Sequence, residues 1–150
     1  DYRKFDLVYS SLAFHYEKNF EELIRGIKKF FAKGSVLLFS MSHPIRSSYE
    51  TETIEKNVVK GLAEITLANK ETKFVGDYFK TEMIEETWMQ GKFQYNYYHH
   101  KIEDVFNALS DHHFRILKVV EPKPVDEGTH QIDPKYFKYP PFLIVKCVKT

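Results

Sequence analysis

Residues 5–41 read FDLVYSSLAFHYEKNFEELIRGIKKFFAKGSVLLFSM, and this run decides the fold class. Its first segment, Phe5-Asp6-Leu7-Val8-Tyr9, has the apolar and aromatic character of a strand. From Phe20 to Phe31 the pattern changes. Phe20, Leu23, Ile24, Ile27, Phe30 and Phe31 recur at three- and four-residue spacing, which places them on one face of a helix. Asn19 stands where an N-cap acceptor belongs, with Glu22 at capping-box distance. Glu21, Arg25 and Lys29 line a second face, where opposite charges support each other weakly. Lys28, Lys29 and Lys33 complement the negative end of the helix dipole. Gly34 is predicted to stop the helix in the left-handed conformation. The next run, Val36-Leu37-Leu38-Phe39, is apolar without alternation, as in a strand covered on both faces of a parallel sheet. Strand, helix and strand make a right-handed βαβ unit. In open α/β sheets ligands bind at the carboxyl ends of the strands. Here those ends are residues 10–16, with Ser10, Ser11 and His15, and residues 40–45, with Ser40, Ser42 and His43.

The 150 residues suit one domain with a real core. Hydrophobic content of 43% and charged content of 29% are ordinary for a soluble globular protein, and a net charge of +1 gives no electrostatic case for nucleic acid. A single cysteine, Cys147, excludes an internal disulfide and fits a reducing, cytoplasmic compartment. No apolar run approaches the roughly 20 residues of a membrane span.

Beyond the opening unit, Ile54, Val58, Leu62 and Ile65 are spaced for a helical stripe, predicting an amphipathic helix from about Glu52 to Ala68. It reads either as surface packing or as a mobile lid. Residues 74–98 predict an antiparallel hairpin with its turn at Gln90-Gly91 and Trp88 beside it. Phe93, Tyr95 and Tyr97 alternate with Gln94, Asn96 and Tyr98 and give one aromatic face, which either packs on its own domain or caps a pocket. Ile102, Val105, Phe106 and Leu109 predict a second amphipathic helix ending near Asp111. Strands follow at Phe114–Val120 and Phe142–Val148, with an irregular proline-rich loop between them.

The ordered combination Phe5-Asp6-Leu7-Val8-Tyr9-Ser10-Ser11-Leu12-Ala13-Phe14-His15-Tyr16, the helix, and Leu37-Leu38-Phe39-Ser40-Met41-Ser42-His43-Pro44-Ile45 resembles the second half of class I S-adenosylmethionine-dependent methyltransferases. The likeness is to the small bacterial type that acts on small molecules, and it runs to the C-terminus. It implies a Rossmann-like α/β fold, C-terminal part only, with strands in the order four, five, seven and six of that family. Residues 1–150 would form that part, with a hairpin cap or lid inserted at about 46–98. The family opens on a glycine-rich cofactor loop. No Gly-x-Gly-x-Gly occurs here, so the resemblance implies a portion of a longer protein, lacking roughly the first three strands. Two departures stand out: Ala32-Lys33-Gly34-Ser35 replaces a Lys-Pro-Gly-Gly run, and His112-His113 replaces a glycine, histidine being a type that tolerates positive φ.

By the same resemblance, Ser10, Ser11 and Leu12 would contact S-adenosylmethionine. His15 and Tyr16 would face the space near the methyl group and His43 would reach it from the next strand, a histidine there being a candidate general base. Tyr16, Trp88, Tyr98 and His99 would bind a small-molecule acceptor. Read from residues alone, His15 is equally a residue bonded to backbone, and His43 a loop residue before proline. The pairs His99-His100 and His112-His113 lack metal-ligand spacing, and no metal is expected. Cys147 reads as a buried inert thiol. The leading expectation is the substrate-side portion of a methyltransferase, inactive alone. A second is a non-catalytic assembly module, because an unpaired Phe5–Tyr9 edge invites self-pairing and a homo-oligomer. A third is half of a nicotinamide oxidoreductase, which the Ser-Ser-Leu and Ser-His-Pro loops fit less well.

Overall fold

The computed structural model describes residues 3–88, 91–125 and 134–150, without the side chains of Trp88 and Pro134. A four-stranded sheet forms its centre. The strands are β1 (Phe5–Ser11), β2 (Phe31–Ser42), β9 (Phe114–Val120) and β10 (Phe142–Lys149), in the order β1-β2-β10-β9. β1 and β2 are parallel, and β10 runs antiparallel to both of its neighbours. The predicted order is therefore the observed one.

Helices α1 (Phe20–Ile27) and α3 (Ile102–Asp111) supply the packing layer. Asn19 caps α1 by accepting the Glu22 N–H at 3.1 Å. The helix ends sooner than its periodicity implied. A 3-10 turn at Lys28–Phe30 follows, and Phe31 already belongs to β2. Gly34 does take a left-handed φ of +90°, but inside β2, where the register to β1 shifts between Phe5 and Leu7. At the end of α3, His113 adopts φ +61°, the conformation that a glycine would otherwise supply.

The two central strands bury one face. Leu37, Phe39 and Met41 of β2 and Leu143, Val145 and Cys147 of β10 are all at most 2% exposed. They join Phe20 and Ile24 of α1 and Val105, Ala108 and Leu109 of α3 in one core. The alternate residues Val36, Leu38 and Ser40 are half-buried, so β2 is not sealed on both faces as its apolar run suggested. β1 is an edge, and its Phe5, Leu7 and Tyr9 are 43, 57 and 65% exposed.

Residues 44–98 fold differently from expectation. A short helix α2 (Pro44–Ser47) is followed by three antiparallel hairpins: β3 (Glu50–Ile54) with β4 (Asn57–Gly61), β5 (Ala63–Thr66) with β6 (Thr72–Val75), and β7 (Met83–Trp88) with β8 (Phe93–Tyr98). The predicted helix over 52–68 is thus two strands and part of a third. Glu55 and Lys56 both take positive φ, +47° and +69°, and close a tight β3–β4 turn, breaking the helical stripe at its centre. The predicted 74–98 hairpin is narrower, since Phe74 belongs to β6. Its turn includes Gly91 at φ +85°, while Gln90 lies outside the described residues. Gly76 joins the first two hairpins to the residues after α2. A Cβ there would collide with the Gly61 carbonyl oxygen and stand 3.0 Å from that of Ser48, which also accepts the Asp77 N–H at 3.1 Å. Among the described residues no helix is long and apolar enough to cross a membrane.

Candidate functional site

Strand directions decide where the site lies. Ser11 of β1 stands opposite Ser40 of β2, and Phe142, the first residue of β10, stands opposite Ser42. The carboxyl ends of two parallel strands and the start of their antiparallel neighbour therefore meet at one edge. A cavity of about 750 Å³ opens there, lined from this sheet end by Leu12, His15, Tyr16, Ser42 and Phe142. Arg46 of α2 and Tyr136 also line it, and the third hairpin closes it with Glu86, Phe93, Gln94, Tyr95 and Tyr97. Its volume is that of a small-molecule site.

Leu12 is held in an unusual conformation. Its φ is +50°, costly for a bulky residue, and its N–H is shared between the Ser40 carbonyl at 3.0 Å and the Ser40 Oγ at 3.1 Å. The chain then enters a 3-10 turn, Phe14–Tyr16. Phe14 stacks on Phe39 in the core, with centroids 4.9 Å apart, and that contact fixes its neighbour His15 at the cavity wall. His15 is 6% exposed. Its Nδ1 accepts the Ser42 N–H at 3.3 Å, so in the neutral ring Nε2 carries the proton. Burial, then the nearby His100 and Arg46, push its pKa down to about 4. The ring is therefore a neutral hydrogen-bond donor and a poor proton acceptor.

Arg46 sits one turn into α2, 23% exposed. Its Nη2 lies 3.5 Å from Glu86 Oε2, and its guanidinium is 5.9 Å from the ring centroids of both Tyr136 and Phe142. Glu86 accepts the Tyr95 hydroxyl proton at 2.5 Å. Tyr95 stacks on Tyr97, and Tyr97 meets the His15 ring edge-on at 5.6 Å. Burial, reinforced by Glu86, raises both phenols, that of Tyr95 to about 12. Both stay protonated near neutral pH.

The other predicted residues scatter. His43 does not join the cavity. It is 0% exposed and caps α2, with Nδ1 accepting the Ile45 N–H at 3.1 Å and Nε2 2.9 Å from Glu121. Both of its ring nitrogens are thus engaged within the protein. His99 is likewise bound on both sides, to Ser47 Oγ at 2.6 Å and the Tyr78 carbonyl at 2.8 Å. His99 and Tyr98 line a separate groove beside α1 and α3, so neither shares the cavity with Tyr16. The Trp88 side chain lies outside the described residues. Ser10 and Ser11, expected in the loop after the first strand, are instead the last two residues of β1, next to Leu12. Sequence reasoning overlooked Arg46 and Glu86, which come together only through a pairing 40 residues apart. The aromatic alternation of β8 was the one readable signal for Tyr95 and Tyr97. Among the described residues no group of three or more His, Cys, Asp or Glu side chains is placed to hold a metal ion.

No model of a known protein family matches the chain. An uncharacterized protein of Haemophilus influenzae is 30% identical over 148 residues, covering 97% of this chain and 54% of that protein. Among solved structures, one of a Listeria monocytogenes protein assigned as an S-adenosylmethionine-dependent methyltransferase superposes with a TM-score of 0.71 at 22% identity, over 97% of this chain and 62% of that one. An S-adenosylmethionine-dependent methyltransferase of Mesorhizobium loti gives 0.65 at 26% identity, with the same coverages. The glycopeptide N-methyltransferase MtfA, complexed with S-adenosyl-L-methionine, gives 0.52 at 13% identity and is covered over 59% of its length. The chain spans between half and two thirds of the length of these relatives, and over that span it has the α/β fold of the class I S-adenosylmethionine-dependent methyltransferases.

Proposed function

We propose that this chain is the substrate-side, C-terminal portion of an S-adenosylmethionine-dependent methyltransferase that acts on a small molecule. The observation that carries the reading is the 750 Å³ cavity at the carboxyl ends of β1 and β2, beside the strained Leu12. The residues present fit one side of the cofactor. Ser10, Ser11 and Leu12 would lie along its methionine end, whereas no glycine-rich loop occurs in the 150 residues. When bound, S-adenosylmethionine supplies an electrophilic methyl group on a sulfonium centre. The chain's own part is to hold the acceptor in line and exclude water. The neutral His15 donates a hydrogen bond through Nε2. The rings of Tyr16, Phe93, Tyr97 and Phe142 confine a planar acceptor. Residues 44–98 act as the cap.

The test is calorimetric titration of S-adenosylmethionine into the 150-residue chain, and into the same chain preceded by its natural glycine-rich half. No saturable binding alone and micromolar binding in the longer form are expected. Absence of binding in both forms sinks the reading.

A second reading has its own support, the exposed Phe5, Leu7 and Tyr9 on the unpaired side of β1. Such an edge is a template for strand addition, and the chain by itself would then pair with a second copy through β1. Light scattering at micromolar concentration should give a dimer, and a monodisperse monomer would refute it.

A further inference from the structure

We propose that the cavity reads a carboxylate on a planar, aromatic-sized acceptor, with Arg46, Ser42 and His15 at the anion-binding end and the tyrosine and phenylalanine rings as walls. The inference rests on reading this cavity as the acceptor site.

Three donors line one end of the cavity. Ser42 is 6% exposed, and its Oγ has no hydrogen-bond partner among the described residues. A buried hydroxyl in that state loses the hydration it would otherwise keep. His15 presents a proton-bearing Nε2, because Nδ1 is committed to the Ser42 backbone. Arg46 carries five N–H donors in a rigid fork, and its bond to Glu86 is at the long limit of 3.5 Å. The guanidinium lies 5.9 Å from the ring centroids of both Tyr136 and Phe142, and a planar fork of this kind can pair bidentately with a carboxylate. A ligand complementary to this end must bring acceptor oxygens.

Glu86 does not reverse the argument. Its Oε2 already takes the short Tyr95 bond and faces Arg46, so it is committed within the protein. Arg46 is the one cationic side chain among the described residues that line the cavity. With Glu86 3.5 Å from it, this one cation disfavours a doubly charged phosphate, which would want a second cation. The remaining lining is largely aromatic, which selects a planar body behind the carboxylate.

The probes are 1-naphthoate, 1-naphthamide and 1-naphthylmethylamine, titrated into the chain by tyrosine fluorescence and by NMR. 1-Naphthoate is expected to bind saturably, the amide about tenfold more weakly, and the amine not at all. Arg46→Gln should abolish the preference for naphthoate over naphthamide, and Arg46→Lys should keep part of it. Ser42→Ala, a smaller change that spares the fold, should weaken naphthoate severalfold and leave naphthamide untouched. Equal binding of amide and acid, preferential binding of the amine, binding of none of the three, or a preference that survives both Arg46→Gln and Ser42→Ala would overturn the proposal. No cofactor enters this assay. A carboxylate preference without methyl transfer by the longer form would remove the methyltransferase reading alone. Methyl transfer to neutral acceptors without that preference would remove this inference alone.

Discussion

The core face of β2 and the surface of residues 74–93 use phenylalanine side chains in opposite ways. In the sheet, Phe39 is 0% exposed and packs against Phe14 and Phe20, whose centroids lie 4.9 and 6.0 Å away. In the second region Phe74, Phe79 and Phe93 are 69, 78 and 56% exposed, and just beyond them Tyr95 and Tyr97 turn to a cavity and a carboxylate. The first arrangement excludes water for stability. The second leaves apolar surface and satisfied hydroxyls where a ligand can use them. The contrast teaches that the buried core and the cavity wall are built by different parts of one short chain.

The sharpest way to break this division is Phe39→Ala. Truncating a fully buried ring should cost about 3–5 kcal/mol, read from the denaturation midpoint at constant m. A loss under about 1 kcal/mol would mean that the sheet core does not carry the stability.

His15 sits on the border between the two regions, and its effect depends on pH. The native ring resists protonation down to about 4, whereas the unfolded chain takes the proton near 6.5. The unfolded state therefore binds more protons between these values, and stability rises with pH across that window. The contribution, up to about 3 kcal/mol, is complete above about pH 6.5 and is lost as the pH falls to about 4. His99, His100 and His112 are shifted in the same direction by burial, so the comparison must be made against His15→Gln. The variant should show a shallower slope from pH 4 to 6.5, and an identical slope would exclude His15 as the buried neutral ring.

His43→Ala removes the cap of α2 and the contact with Glu121, and should destabilise by about 1–2 kcal/mol. Because His43 lies outside the cavity, naphthoate affinity measured on the folded variant should be unchanged. A large loss of affinity would restore it as a site residue. The smallest effect is expected for Phe79→Ala, within about 0.5 kcal/mol. A larger loss would show that the hairpin surface is covered in solution.

What could be read in advance follows the same boundary. α1, α3 and β10 were legible because each buries one face and the periodicity of burial is written into the residues, whereas β9, buried only at Phe114, was legible from its β-branched run. Residues 52–68 misled because Ile54, Val58, Leu62 and Ile65 fall at helical spacing by coincidence. Ile54 is 6% exposed but Val58 is 72% exposed on β4, so the four residues share no buried face. Thr51, Thr53, Val58 and Val59 carried the better signal, their β-branched side chains favouring strands. The turn that separates them uses Glu55 and Lys56 where an Asn-Gly pair would have announced it. His15 and Tyr16 were legible because they follow a recognisable strand. Arg46 was not, since its meaning depends on Glu86, Tyr136 and Phe142, which only the folded chain brings near.

Gly76 sets a limit on how this molecule can diverge. With no space for even a methyl group, it acts as a rivet between the first two hairpins and the end of the helix that carries Arg46. The tips at Glu55-Lys56 and Asn69-Lys70 lie away from that joint, at the far ends of their strands. Insertions there can be absorbed while the rivet keeps its seat. Sequence drift in such a chain is free at the tips and barred at that glycine, so the hairpin ends can diverge without the frame being rebuilt.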